Sequence, residues 1–227
     1  DTRSYCSLLK RRKMISLVEE WDKFFKQHPT GGPWDWKNPS KERKLQDDHI
    51  VDFLNYHNFE KNLKVLDCGC ADGRNSEYLI NEGYEVTGVD HSQTVIERTQ
   101  KRLPKGKFIT GDIRKLDKIE SNSFDILIDA GALHVNFPKD IISIIEEYHR
   151  ILKPSGKMFI RVFNKDDDTP NPIFPVNAEG TMPVFGYSES TFINRIKDYF
   201  NVEYKKYDPV YGMHGQGCNY YYLGRKD

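Results

Sequence analysis

Two kinds of segment alternate along the chain: stretches whose apolar residues recur every three to four positions, and short apolar runs that end on an acidic residue. Leu17, Val18, Trp21, Phe24 and Phe25 share one face of a helix expected within Ser16 to Gln27. A second amphipathic segment, Lys41 to Tyr56, groups Leu45, His49, Ile50, Phe53 and Leu54. From Lys64 the pattern changes. β-rich runs close on Asp67, Asp90, Asp112 and Asp129, and helices are expected at Asn75 to Glu82, Thr94 to Arg102 and Asp140 to Leu152. The last carries Ile141, Ile144, Ile145, Tyr148 and Leu152 as its apolar stripe.

A strand at Lys157 to Phe163 follows, then a Pro-rich insertion and a helix from Ser188 to Tyr199. Ser188 and Thr191 offer capping oxygens, and Glu189 suits the positive end of the helix dipole. Runs at Val202 to Tyr207 and Asn219 to Leu223 bring the strands to seven. Strands that alternate with helices run parallel and bury both faces, so the expected fold is a doubly wound, mostly parallel α/β sheet. With 227 residues the chain suits one such domain, preceded by a helical extension or lid over residues 1–62.

Composition removes several alternatives. Lys plus Arg and Asp plus Glu both number 34, so the chain lacks the net positive charge that points to nucleic acid, although a local patch such as Lys10 to Lys13 remains open. No apolar run approaches the roughly 20 residues that span a bilayer, and no secretory signal is expected, which places the protein in the cytoplasm. Four cysteines make no disulfide framework at this size. Cys68 and Cys70, one residue apart, suit neither zinc nor a redox pair; strand alternation sends both to one side as small packing residues, and no metal site is expected. Asp166 to Asp168 reads as a solvated charge cluster.

The chemistry concentrates at Val65-Leu66-Asp67-Cys68-Gly69-Cys70-Ala71-Asp72-Gly73-Arg74-Asn75, where an apolar run meets a Gly-punctuated turn and then a helix. Small residues at 69, 71 and 73 let backbone N–H groups approach a ligand. The spacing Asp-x-Gly-x-Ala-x-Gly differs from the Gly-x-Gly-x-x-Gly of NAD sites. Asp90 closes the next strand, where α/β nucleotide sites hold both ribose hydroxyls. A single acidic strand end can be an N-cap; four in succession at one sheet edge indicate a shared ligand.

In these motifs the chain resembles the class I S-adenosylmethionine (SAM)-dependent methyltransferases from about Leu63 to the C-terminus, with Ile151 to Ile160 carrying the family's Leu-x-Pro-x-Gly turn as Leu152-Lys153-Pro154-Ser155-Gly156. The resemblance implies SAM as cofactor, S-adenosylhomocysteine as its product, and an antiparallel hairpin for the last two strands. It puts Asp67, Cys68, Gly69, Cys70, Ala71, Gly73, Arg74 and Asn75 beside the methionine part, Asp90 with His91 and Ser92 at the ribose, and Gly111, Asp112 and Ile113 at the adenine. Asp129 and Ala130 pass the sulfonium and face the acceptor. Ala71 replaces the family's middle glycine.

The acceptor follows less directly. His134, past the fourth strand, is either a general base or a histidine packed under the loop. Arg161 meets an acidic acceptor group or forms a structural ion pair. Trp34 and Trp36, the Pro170 to Phe185 insertion, and the connection bearing Tyr211 and His214 are the segments expected to enclose the acceptor. A small-molecule acceptor methylated at O, N or S is the leading expectation. A protein or structured RNA is the alternative, and a non-catalytic SAM-binding module is the third. The Asn-Pro-Pro-Tyr motif of nucleic-acid amine methylation is absent.

Overall fold

The computed structural model describes residues 17–27, 47–166, 183–209 and 217–227. Helix α1 (Leu17–Gln27) and helix α2 (Asp48–His57) precede strand β1 (Lys64–Cys68). Then follow α3 (Arg74–Asn81), β2 (Glu85–Asp90), α4 (Gln93–Arg102), β3 (Lys107–Thr110), β4 (Phe124–Asp129), α5 (Ile141–Ile151) and β5 (Leu152–Asn164). The chain continues with β6 (Gly186–Tyr187), α6 (Glu189–Ile196), β7 (Phe200–Asp208) and β8 (Cys218–Arg225).

Strand order is β3-β2-β1-β4-β5-β8-β7, with β6 pairing separately to the end of β5. The strands from β3 to β5 are parallel, and β8 and β7 run antiparallel, as the resemblance implied. Among the described residues the sheet has eight strands and not seven. The extra one, β6, is two residues long, too short to leave a period in the sequence. Order reverses between β1 and β4, which opens a crevice at their carboxyl ends, the usual ligand position of an open α/β sheet.

Alternation along the buried strands builds a core on each face. Leu66, Leu127, Met158 and Ile160 meet Ile144, Ile145 and Tyr148 of α5 and Phe192 and Ile196 of α6. Val65, Ile126, Ile128 and Phe159 meet Ile50, Phe53 and Leu54 of α2 and Leu79 of α3. Each such side chain contributes roughly 1.5 to 3 kcal/mol through burial. The α2 helix of the N-terminal extension is therefore part of the same core. Its N-cap is Asp47, whose side chain accepts from His49 N; residues 41–46, which the helical period included, lie outside the described residues. Ser188 caps α6 by accepting from Thr191 N, as expected.

Cys68 and Cys70 are both buried free thiols, but they enter different clusters. The left-handed Gly69 between them breaks the strand alternation that would have sent both to one side. No helix among the described residues is long and apolar enough to cross a membrane.

Candidate functional site

After β1 the backbone turns sharply. Gly69, Ala71 and Gly73 all take positive φ, at 68°, 46° and 73°. A Cβ on Gly69 would stand 2.5 Å from the Ala132 Cβ, and one on Gly73 2.5 Å from Thr99 Cγ2. The turn is pinned to β2 by Gly69 N and Cys70 N, which donate to Val89 O at 2.8 and 3.0 Å, and to α4 by Thr99 Oγ1, which donates to Ala71 O at 3.0 Å. Arg74 opens α3, whose N-terminus faces the same edge.

Asp67 is buried beneath this turn and accepts a 2.6 Å hydrogen bond from Ser76 Oγ. Burial lifts its carboxyl to about 7 against that hydrogen bond, with Asp129 and Asp90 adding to the rise. Asp90 is buried at the end of β2, with Oδ2 accepting from Ala71 N at 3.1 Å and Oδ1 from Ser92 N at 2.9 Å. Its carboxyl is also raised by burial, which outweighs the opposing His91 charge and backbone N–H groups. Gly111 N donates to Asp90 O at 2.9 Å, which brings the β3 end alongside.

Ser92 caps α4, accepting from Val95 N, and donates its hydroxyl to Asp22 of α1 at 2.7 Å. Asp22 also accepts from Thr94 N at 3.1 Å, and Arg98 Nη1 donates to Phe25 O at 2.7 Å, so α1 is docked over the β2–α4 turn. Trp21 meets His91 edge-on with ring centroids 6.4 Å apart. The buried Trp21 Nε1 and His91 Nε2 have no hydrogen-bond partner among the described residues.

Past the end of β3, Ile113 is buried and Asp112 is engaged by Arg114, whose Nε lies 2.9 Å from both carboxylate oxygens. Burial alone would raise the Asp112 carboxyl; the Arg114 hydrogen bonds and charge hold it below the usual range. Arg114 also reaches Asp140 at 3.5 Å.

Past β4, Asp129 is fully buried and turned into its own loop. It accepts from Gly131 N at 2.9 Å, Ala132 N at 2.7 Å, Leu133 N at 3.0 Å and the Tyr148 hydroxyl at 2.8 Å. That set of donors makes Asp129 the organiser of residues 130–134. His134 is 2% exposed, its ring centroid 4.6 Å from that of Phe163, and its main-chain O accepts from Phe185 N at 2.8 Å. Burial, then the Arg161 charge, bring its imidazole down to about 3, so it is neutral at ordinary pH. Nδ1 is buried with no partner among the described residues. Arg161 forms a buried ion pair with Asp47, and its other arm donates to Ala130 O. Of the two roles expected for Arg161, the ion pair is the one seen.

Residues Asp67, Gly69, Ala71, Gly73, Asp90, Ser92 and Gly111 are thus brought together, with Asp129, Ala130, His134 and Arg161 across the β1–β4 crevice. Trp34, Trp36, Tyr211 and His214 lie outside the described residues. Sequence reading missed Asp47, whose only signal was its position as a helix N-cap before His49 and Ile50. It also missed Asp22, hidden as a polar residue on an amphipathic helix, and Arg114, two positions from Asp112.

A glycine cradle that a Cβ would fill, two partnerless buried ring nitrogens, and buried carboxylates at successive strand ends fit a ligand that carries hydroxyls, an amine and a positive charge. Residues 65–156 match a family model described as a methyltransferase domain. A ubiquinone biosynthesis O-methyltransferase of Pelagibacter ubique is 31% identical over 160 residues, 67% of this chain and 63% of that protein. An uncharacterized methyltransferase of Schizosaccharomyces pombe is 30% identical over 105 residues, 44% of this chain and 72% of that protein.

Among solved structures, the Burkholderia thailandensis 1,6-didemethyltoxoflavin-N1-methyltransferase, with 1,6-didemethyltoxoflavin and S-adenosylhomocysteine bound, is similar with a TM-score of 0.68. Its identity is 18%, covering 94% of this chain and 92% of that one. The chain spans 43% and 63% of the length of two curated relatives it matches. The chain belongs to the class I SAM-dependent methyltransferases.

Proposed function

We propose that this protein transfers a methyl group from SAM to an O, N or S atom of a small molecule. The observation that carries the reading is the Gly69–Gly73 turn, folded onto Asp90 through Ala71 N, so that a turn with almost no side chains and a buried carboxylate meet at one sheet edge. In this reading the turn and Asn75 hold the methionine part, and each Asp90 oxygen, already bonded to one N–H, uses its second lone pair for a ribose hydroxyl. Asp112 and Ile113 meet the adenine, and Trp21 and His91 cover the nucleoside. When bound, SAM supplies a methyl group already activated by its positive sulfur, so the chain's task is alignment and exclusion of water.

On the acceptor side, a neutral His134 is suited to hold the acceptor through Nδ1; it takes up a proton only if the bound acceptor raises its basicity. Phe163, its ring centroid 4.6 Å from that of His134, gives that side an aromatic wall, which supports a small aromatic or planar acceptor. Relatives named for ubiquinone biosynthesis and for a toxoflavin precursor point the same way. The Trp34–Trp36 and Tyr211–His214 segments complete the enclosure in this reading. Three buried free thiols suit a reducing compartment, and the cytoplasm is the location proposed.

The test is transfer of labelled methyl from SAM to a panel of phenols, thiols and amines, with protein and RNA fractions run in parallel and S-adenosylhomocysteine binding as control. Label in a small molecule supports the reading, and a His134→Ala variant should then turn over more slowly with cofactor binding kept. Label only in protein or RNA overturns the acceptor class. Binding without transfer to any acceptor makes the protein a SAM-binding module.

A further inference from the structure

Asp47 and Arg161 both lie outside the residues matched by the family model, and their side chains are 0% and 7% exposed. Three further contacts meet at this pair. Asp47 Oδ1 accepts from His49 N at 3.0 Å, which starts α2, while Oδ2 takes one arm of the Arg161 guanidinium. The other arm donates to Ala130 O. Asp47 N donates to Asn75 Oδ1 at 3.1 Å, on the helix that follows the cofactor turn.

The loop after β4 is therefore gripped from both sides. Asp129 takes its N–H groups at 131, 132 and 133, and Arg161 takes its carbonyl at 130. Gly131, at φ 137°, packs against both side chains: a Cβ there would stand 3.1 Å from Arg161 Nη2 and 3.1 Å from His134 Cε1. Whatever turns the guanidinium plane shifts the Ala130–Gly131 peptide, and the imidazole packed against the same Gly131 must follow. A planar fork with one arm on a carboxylate and one on a carbonyl has a fixed plane; a buried guanidinium without its carboxylate does not.

We propose that Asp47 is a positioning residue that fixes the His134 imidazole at the acceptor side through Arg161 and the Ala130–Gly131 peptide, and ties that setting to the cofactor turn through Asn75. Its purpose rests on the methyltransferase reading; its test needs no acceptor. The mechanism places a residue of the N-terminal extension in control of the loop between the two ligands.

The experiment compares wild type, Asp47→Asn and Arg161→Lys, by NMR of the His134 imidazole nitrogens and the Gly131 amide, with and without S-adenosylhomocysteine, and by calorimetric titration of that ligand. Asn at position 47 can still cap α2 and keeps the side-chain volume, but lacks the charge. Lys at position 161 can still meet Asp47 but cannot fork to Ala130. Both variants are expected to move the His134 and Gly131 resonances while the Gly156 amide, in the β5 turn, stays in place.

Ligand affinity in both should weaken by less than about threefold, since the pair reaches the cofactor turn through one hydrogen bond. Wild-type His134 and Gly131 signals in both variants overturn the proposal, as does movement of Gly156 alongside them, which marks general loosening. If Asp47→Asn does not fold, Arg161→Lys decides alone. A wild-type protein that does not bind S-adenosylhomocysteine defeats the cofactor reading, and the ligand-free spectra still decide this one.

Discussion

At the β1–β2 half of the carboxyl edge, Asp67 is held by Ser76, nine residues on, and Asp90 by Ala71 and Ser92, 19 and two residues away; at the β4–β5 half, Arg161 meets Asp47 across 114 residues. In the first half burial raises the Asp67 and Asp90 carboxyls, so both hold a proton more readily than a free carboxylate. The second balances a carboxylate with a guanidinium and keeps its imidazole neutral. The two halves lie side by side and differ in what offsets their buried carboxylates: hydroxyl and backbone N–H donors in the first, a guanidinium in the second. The first half comes from one local motif, whereas the second depends on distant segments arriving together.

The largest effect should come from breaking the distant half. Arg161→Ala leaves the Asp47 carboxylate buried without its cation and the Ala130 carbonyl without its donor, and should lower unfolding free energy by about 3 to 5 kcal/mol in denaturant titrations. Loss of under 1 kcal/mol would mean that the ion pair is replaced by water and that the two halves differ less than described. Next comes the local half. Asp90→Ala should weaken SAM binding by about 2 to 3 kcal/mol in calorimetry, because two ribose hydroxyls lose a charged acceptor, while the fold persists.

The smallest effect sharpens the electrostatic contrast through pH. Asp67 has a folded value near 7 against 3.8 ordinarily, so between those values the folded state holds more protons than the unfolded one, and its contribution to stability falls as pH rises. His134 has a folded value near 3 against 6.5, so the unfolded state holds more protons there, and its contribution falls as pH drops through that window. Asp67→Asn should therefore gain on wild type with rising pH from 4 to 7, and His134→Phe should gain with falling pH from 6.5 to 4, each by about 1 kcal/mol per pH unit. Parallel slopes for the two variants, measured by denaturant unfolding across pH, would remove the contrast.

The same division explains what the sequence revealed. The helices at 93–102 and 141–151 fall within one residue of their expected bounds, because apolar period and a capping Ser92 are local properties. The Gly69–Gly73 turn and the acidic strand ends were legible for the same reason. The β6 strand was not, since two residues carry no alternation and its pairing to Phe163 and Asn164 is decided by the chain returning from elsewhere. Nor was the orientation of Asp129: a carboxylate at a strand end can face a ligand or its own following loop, and here free N–H groups at 131 to 133 and the Tyr148 hydroxyl take it. Asp47 fell inside the helix expected from Lys41 to Tyr56, whereas it caps the helix that begins at Asp48; its ionic partner sits on a strand that composition and spacing do not place beside it.

The central claim is that strand-end carboxylates and the glycine turn together bind an adenosyl group. Calorimetric titration of the wild-type protein with S-adenosylhomocysteine, with NAD as the competing nucleotide, addresses it most directly. One site per chain, with micromolar affinity for S-adenosylhomocysteine and no heat from NAD, is the expected result; a folded protein that gives no heat with S-adenosylhomocysteine contradicts it.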